Sequence, residues 1–293
     1  MSVETFFLII SSVFFCIYTL LILLYRYYFT KDISLNHNSD TEEKIKVSII
    51  IPARNESDSI ALLLNDLSVQ TYPKELYEII VVDDESTDNT VEKVNDFIEK
   101  EKHIDCKLIK ISEQNHSSIN GYYKKRAIST GISQSVGNII LTTDADCRLG
   151  NKWIESYVEL FKIGDFKMIT GIVAFKDDKT NFEKAQHLEF LSLIASSIAS
   201  IKMGFPIMCN GANLAYKKSA FIDVNGYSSD NEFASGDDIF LLLKIKKKFG
   251  RKSIGCLLNT DGMVFTKPKT TIKEFISQRL RWASKTKGYR DFF

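Results

Sequence analysis

From Val47 onward the apolar positions fall into two patterns: short continuous runs, and longer stretches with helical spacing. Val47–Ile51 is a near-continuous apolar run closed by Pro52, as in a strand buried on both faces. Ile79–Val82, Lys107–Ile111 and Asn138–Thr143 have the same character. Between them, Ser57–Gln70 carries Ile60, Leu63, Leu64 and Leu67 at helical spacing. Thr90–Lys100 sets Val91, Val94 and Ile98 on one face, and Lys124–Gln134 reads as a third helix. Strands alternating with helices predict an α/β architecture, a mostly parallel sheet flanked by crossover helices. Ligands on such sheets lie beyond the carboxyl ends of the strands. The polar segments PARNE, DDEST and DAD follow the first, second and fourth of these strands, so all three converge on one rim.

The second half is less regular. Lys152–Phe161 reads as a helix, Lys167–Phe175 as one strand, and residues 183–201 as a long buried or membrane-surface helix. Ile207–Tyr216 contains a turn at Asn210–Gly211. Asp237–Phe249 is a helix whose first turn carries two acids, where the helix dipole favours negative charge. Thr271–Ala283 is the last helix.

The N-terminus follows a third pattern. No charged residue occurs from Thr5 to Tyr25, about the 20 residues a membrane-crossing helix needs. A cleaved signal peptide is the competing reading. It fits less well, because Glu4 stands where a basic segment belongs and no small-residue cleavage site follows. Arg26 and Lys31 flank the far side of the run, which predicts a single-pass cell-membrane protein with the rest of the chain in the cytosol. The five scattered cysteines form no CxxC pair and agree with a reducing compartment. The expected organisation is an anchor at 1–29, a polar tether at 30–45, an α/β domain at 46–265 and an amphipathic C-terminal helix at 266–293. The domain divides into halves at 46–146 and 147–265. A net charge of +1 provides no global field for nucleic acid. The lysine cluster from Lys244 to Lys252 is a solvated face that also suits an anionic membrane surface.

The candidate chemistry is acidic. Asp144 and Asp146, one residue apart at the end of a strand, can both face one hard cation. Alternatively, one binds metal and the other a sugar hydroxyl. A carboxylate cannot itself bind a diphosphate, so such a cluster implies Mg²⁺ or Mn²⁺ between them. Asp83–Asp84 can accept hydrogen bonds from a base or ribose, or serve as a helix cap. Arg54, within Pro52–Glu56, can help place a nucleotide or form a surface pair. Asp238, after Gly236–Asp237, can act as general base on an acceptor hydroxyl or simply charge the helix start. In QRLRW, Arg279 and Arg281 can neutralise a leaving diphosphate while Trp282 stacks on a sugar. Read in isolation, the same string is a basic amphipathic helix.

Taken in order, VSIIIPARNE, VVDDESTDNT, TTDADC, GANLAY, SGDDIFL and QRLRW resemble a family-2 inverting glycosyltransferase of the GT-A, Rossmann-like fold, over about residues 46 to 285. QRLRW is similar to the Q-x-x-R-W signature of membrane-associated cellulose, chitin and hyaluronan synthases. The resemblance implies that Pro52, Arg54 and Glu56 border the nucleotide pocket and that Asp84 holds the uracil or ribose side. It also implies that Asp144 contacts the donor, Asp146 ligates the metal and Asp238 is the base. Asp237 stands where the family more often has Glu. The family lysine before the DxD strand matches Lys125, with Lys124 the alternative in YYKKR. Gln278, Arg279, Arg281 and Trp282 close the donor site on the pyrophosphate or acceptor. The implied partners are a nucleotide sugar, most often UDP-linked, a lipid or glycan acceptor, and the membrane. Synthases with this signature commonly continue into further membrane helices, so polymer export does not follow from QRLRW here. A metal-dependent nucleotidyltransferase and a non-catalytic nucleotide-sugar-binding subunit are the competing functions. PARNE lacks the glycine-rich signature of the first, and the intact acids argue against the second.

Overall fold

The computed structural model describes residues 2–31, 44–111, 123–176, 179–227 and 236–284. Most of the expected tether lies outside them. The first helix, α1 (Val3–Thr30), is 28 residues long and buries none of them. It is long and apolar enough to cross a membrane. Its last carbonyls are tied to the domain: Lys202 Nζ donates to Phe29 O at 2.8 Å and to Lys31 O at 2.7 Å.

Strand β1 (Val47–Ala53) lies inside the main sheet, parallel to β2 (Tyr77–Asp83) on one side and to β4 (Ile139–Thr142) on the other. β3 (Asp105–Lys110) extends the sheet beyond β2, also in parallel. Past β4 the direction reverses. β8 (Leu214–Lys217) runs antiparallel to both β4 and β6 (Met168–Gly171), and β9 (Ile254–Leu257) pairs in parallel with β6. The strand order is β3-β2-β1-β4-β8-β6-β9. The chain winds one way from β1 to β2 and the other way to β4, so a crevice opens where the two directions part. A second sheet joins β5 (Arg148–Leu149), β10 (Val264–Thr266) and β7 (Val173–Phe175).

Alternation along the strands divides the core in two. Ile49, Ile51, Ile79, Val81 and Leu141 face one layer, built from α2 (Ile60–Ser68) and α5 (Trp153–Ile163). The residues between them, Ile50, Ile80, Val82 and Ile140, face the other. There they meet α4 (Tyr123–Gln134), the C-terminal part of α6 (Asn181–Lys202) and α8 (Asp237–Phe249). These strand side chains are almost fully buried, each contributing roughly 1.5–3 kcal/mol. α3 (Thr90–Lys100) covers the β2–β3 edge, the short α7 (Lys218–Asp223) follows β8, and α9 (Ile272–Ser284) ends the described chain.

The expected single strand over Lys167–Phe175 is two strands in two sheets. The chain changes sheet at Ile172, whose carbonyl accepts from Asn213 Nδ2 at 2.8 Å and from Val264 N at 3.0 Å. Gly171 makes room, since a Cβ there would sit 2.3 Å from Asn213 Nδ2. Asn213 is fully buried and also accepts from Trp153 Nε1 and Tyr157 OH, which binds both sheets to α5. The asparagine of GANLAY is thus a structural tie.

At the opposite end of the strands, buried Glu78 is encircled by donors: Ser48 Oγ at 2.5 Å, Val136 N at 2.6 Å and Lys107 Nζ at 2.8 Å. Burial pushes its carboxyl up. The bonds from Lys107, Ser48 and Val136 outweigh burial and hold the pKa below its ordinary 4.5. A lowered pKa stabilises the fold above the unfolded value, and the gain is lost as pH falls through the folded one. Glu78→Gln is therefore expected to lower unfolding free energy at pH 7 by about 1–3 kcal/mol in urea titrations, a gap that narrows as pH falls below the ordinary 4.5 and through the lowered folded value.

Candidate active site

The loops after β1 and β2 are knitted together. Asn55 N donates to Ser86 Oγ at 2.9 Å, and Thr87 N donates back to Asn55 Oδ1 at 2.8 Å. Glu56 N donates to Thr90 Oγ1 and Ser57 N to Asp88 Oδ2. These bonds hold Asn55 and Glu85 at φ of 57° and 61°, a conformation that non-glycine residues adopt at a cost. The result is a rigid lip on which Asp84 is buried facing the crevice. Arg126 Nη2 donates to Asp84 Oδ1 at 2.6 Å, and Arg54 Nη1 lies 3.5 Å from Oδ2. Arg54 stacks on the Tyr123 ring at 4.5 Å.

The DAD loop is positioned from behind. Arg148 donates twice to Asp66 of α2, at 2.6 and 2.8 Å. Asp144 is ion-paired with Lys124. Desolvation works against the Lys124 charge, but Asp144 outweighs it and raises the lysine pKa. Among the described residues Asp146 has only long contacts, from the Thr266 hydroxyl at 3.4 Å and the Cys147 thiol at 3.8 Å. Burial, and then the Asp144 charge, push its carboxyl above the ordinary value, while Lys269 and Lys124 pull it back. Burial also raises Glu56, with Asp146 and Asp144 adding to the effect. An under-compensated, oxygen-only pair of carboxylates fits Mg²⁺ or Mn²⁺. Among the described residues no group of three potential ligands closes around one point. The fit is therefore to a cation whose remaining ligands come from phosphates and water.

Asp238 lies in the first turn of α8, after Gly236 at φ 100°, a backbone state that suits glycine. Its Oδ2 accepts from Gly211 N at 3.0 Å and its Oδ1 from Ile239 N at 2.9 Å. Gly211 O in turn accepts from Thr142 Oγ1 at 2.8 Å. One peptide segment thus couples the end of β4 to Asp238.

These groups line one cavity of about 910 Å³. Pro52, Arg54, Glu56, Asp84, Asp144, Asp146, Asp237 and Asp238 all reach it, as do Gln278, Arg281 and Trp282 of α9. Two expected residues do not line it. Lys125 is replaced there by Lys124, because helix phase turns the second lysine of YYKKR off the cavity. Arg279 is held by Glu189 of α6, with Nε at 2.8 Å from Oε1, and stacks on Phe275 and Trp282. Gln278, Arg281 and Trp282 stand at i, i+3 and i+4 on one helix face, and the Glu189 pair draws Arg279 to the flank of that face, against Trp282. Helical spacing was the signal that separates these four. The sequence reading also passed over Arg126, Lys269 and Gly211, whose positions depend on tertiary contacts.

A family model described as glycosyl transferase family 2 matches residues 48–224, over half of the chain. The chain belongs to glycosyl transferase family 2. The match runs from β1 to α7, stopping before Asp238 and α9. Among curated relatives of this glycosyltransferase, poly-beta-1,6-N-acetyl-D-glucosamine synthase of Staphylococcus aureus is 28% identical over 98% of this chain and 67% of that protein. The chain spans about two thirds or less of the curated relatives it matches, down to 40% of one. The fold is GT-A. Mannosyltransferase PcManGT from Pyrobaculum calidifontis, solved with GDP-Man and Mn²⁺, matches with a TM-score of 0.67 at 19% identity, over 94% of this chain and 73% of that one. Staphylococcus aureus TarS 1-349, solved with UDP-GlcNAc, matches at 0.56 and 17%, over 78% and 60%.

Lys124 competes with any metal for Asp144. Lys124→Met is expected to tighten binding of Mn²⁺ alone by about tenfold, read by titration calorimetry, since it removes one cation from the pair.

Proposed function

We propose that this family-2 glycosyltransferase is anchored by α1 with its domain in the cytosol. It moves a sugar, with inversion, from a UDP-sugar to a hydroxyl of a lipid or glycan acceptor, with Mg²⁺ or Mn²⁺ as cofactor. The observation that carries this reading is the placement of Asp84, Asp146 and Asp238, from three separate elements, around one cavity. Two neighbours solved with nucleotide sugars, one of them with Mn²⁺, support the donor class. Gln278, Arg281 and Trp282 on the cavity wall support the likeness to synthases with a Q-x-x-R-W motif. The apolar length of α1 and its flanking Arg26 and Lys31 support the anchor and its orientation.

In this reading Pro52, Arg54, Glu56 and Asp84 border the base and ribose, and Asp144 faces the donor. Asp146 would hold the cation, which supplies charge compensation to the diphosphate. Asp238 accepts the proton of the acceptor hydroxyl. The freed oxygen bonds to the anomeric carbon from the far side, and the bond to the diphosphate breaks with its electron pair leaving on the nucleotide. The Gly211 and Ile239 N–H groups hold the Asp238 carboxylate in place for this step. Lys124, Lys269 and Arg281, on the cavity wall, meet the charge of the departing diphosphate.

Asp238→Asn is expected to reduce turnover by about 10²–10⁴-fold while leaving UDP affinity unchanged. The check is transfer from a panel of nucleotide sugars alongside calorimetric UDP binding. Wild-type turnover in the variant contradicts the base assignment.

A further inference from the structure

We infer that Arg126 is a positioning residue for nucleobase selection, a reading that rests on the nucleotide site proposed above. Asp84 has two carboxylate oxygens with unequal partners. Oδ1 is taken by Arg126 at 2.6 Å, a short charge-assisted bond from a partly buried guanidinium. Oδ2 faces Arg54 at 3.5 Å, the limit of a hydrogen bond, and the Arg54 side chain is 43% exposed. Asp84 N is fixed to Ala53 O at 2.9 Å, so the residue cannot swing away. Oδ2 is therefore the oxygen that a ligand in the cavity can claim by displacing a weak contact.

Arg126 does not line the cavity, and its Nε is buried without a hydrogen-bond partner. Among the described residues its ion-pair partner is Asp84. An unpaired buried donor costs stability, and its guanidinium is aimed at one carboxylate. The effect is to hold the Asp84 carboxylate in one orientation, with Oδ2 outward.

An ionised carboxylate only accepts. Uracil and guanine carry a ring N–H beside a carbonyl and can donate to it. Cytosine and adenine present a bare ring nitrogen at that position, whose lone pair faces the carboxylate with no hydrogen between. The site therefore takes nucleoside diphosphates whose base bears a ring N–H and rejects the others.

The test is calorimetric binding of UDP, GDP, CDP and ADP, with Mn²⁺, to the detergent-solubilised full chain. Wild type is expected to bind UDP or GDP at least about tenfold tighter than CDP and ADP, the worth of one hydrogen bond to a charged group. Arg126→Met is expected to lose about tenfold toward the preferred nucleotide and little toward CDP and ADP, with KM for the donor raised and kcat retained. Arg126→Lys, which keeps a cation, restores most of the preference. Asp84→Asn, whose amide also donates, narrows the preference by a second route should Arg126→Met not fold. The inference is overturned if Arg126→Met weakens all four nucleotides equally, leaves their ratios unchanged, or if wild type does not discriminate. A wild type that binds no nucleotide overturns the donor reading as well, which separates the two failures.

Discussion

Carboxylates crowd one rim of the sheet because the parallel strands β1, β2 and β4 all end there. Asp84, Asp144, Asp146 and Asp238 line a single cavity, with Glu56 beside them. Like charges in a partly desolvated cleft repel, so each needs an answer. Asp84 has Arg126, Asp144 has Lys124, and Asp238 has two backbone N–H groups. Asp146 has, among the described residues, only two hydrogen-bond contacts, both beyond 3.3 Å, and the pKa of its carboxyl is raised. The charge deficit is therefore concentrated on one side chain at the end of β4. A divalent cation shared with phosphates is the chemistry that relieves it.

The scaffold makes this arrangement stiff. The first two loops are cross-bonded through Asn55, Ser86, Thr87 and Thr90, and the DAD loop is braced by Arg148 on Asp66. The peptide segment at Gly211 transmits position from Thr142 to Asp238, so the end of β4 and the start of α8 share a support. Fully buried Asn213 joins both sheets to α5, and Arg279 with Glu189 fastens α9 to α6 beside the cavity. Sites held by main-chain bonds and buried ties keep their geometry when charge changes.

Much of the first half was legible because its signals are local. Near-continuous apolar runs such as Val47–Ile51 and Ile79–Val82, short and rich in β-branched residues, read as buried strands. The rule that ligands meet the carboxyl ends of parallel strands then collects PARNE, DDEST and DAD at one place. The second half was less so. β8, β9 and β10 are four residues long or shorter, and β8 runs antiparallel, which periodicity does not reveal. The break between β6 and β7 is made by Asn213, some 40 residues away in sequence. The choice of Lys124 over Lys125, and of Arg281 over Arg279, follows from helix phase. Arg126 lay next to two lysines with nothing local to mark it, since its partner Asp84 follows β2, 42 residues away in sequence.

The central proposal is that the under-compensated charge at Asp146 is where a divalent cation and the donor's diphosphate meet. The direct measurement is anomalous diffraction at the manganese edge from crystals of the full chain grown with Mn²⁺ and UDP. The account predicts an anomalous peak at coordination distance from the Asp146 carboxylate, with the diphosphate on its other side and the base beside Asp84. A peak remote from Asp146, or a nucleotide seated away from Asp84, contradicts it.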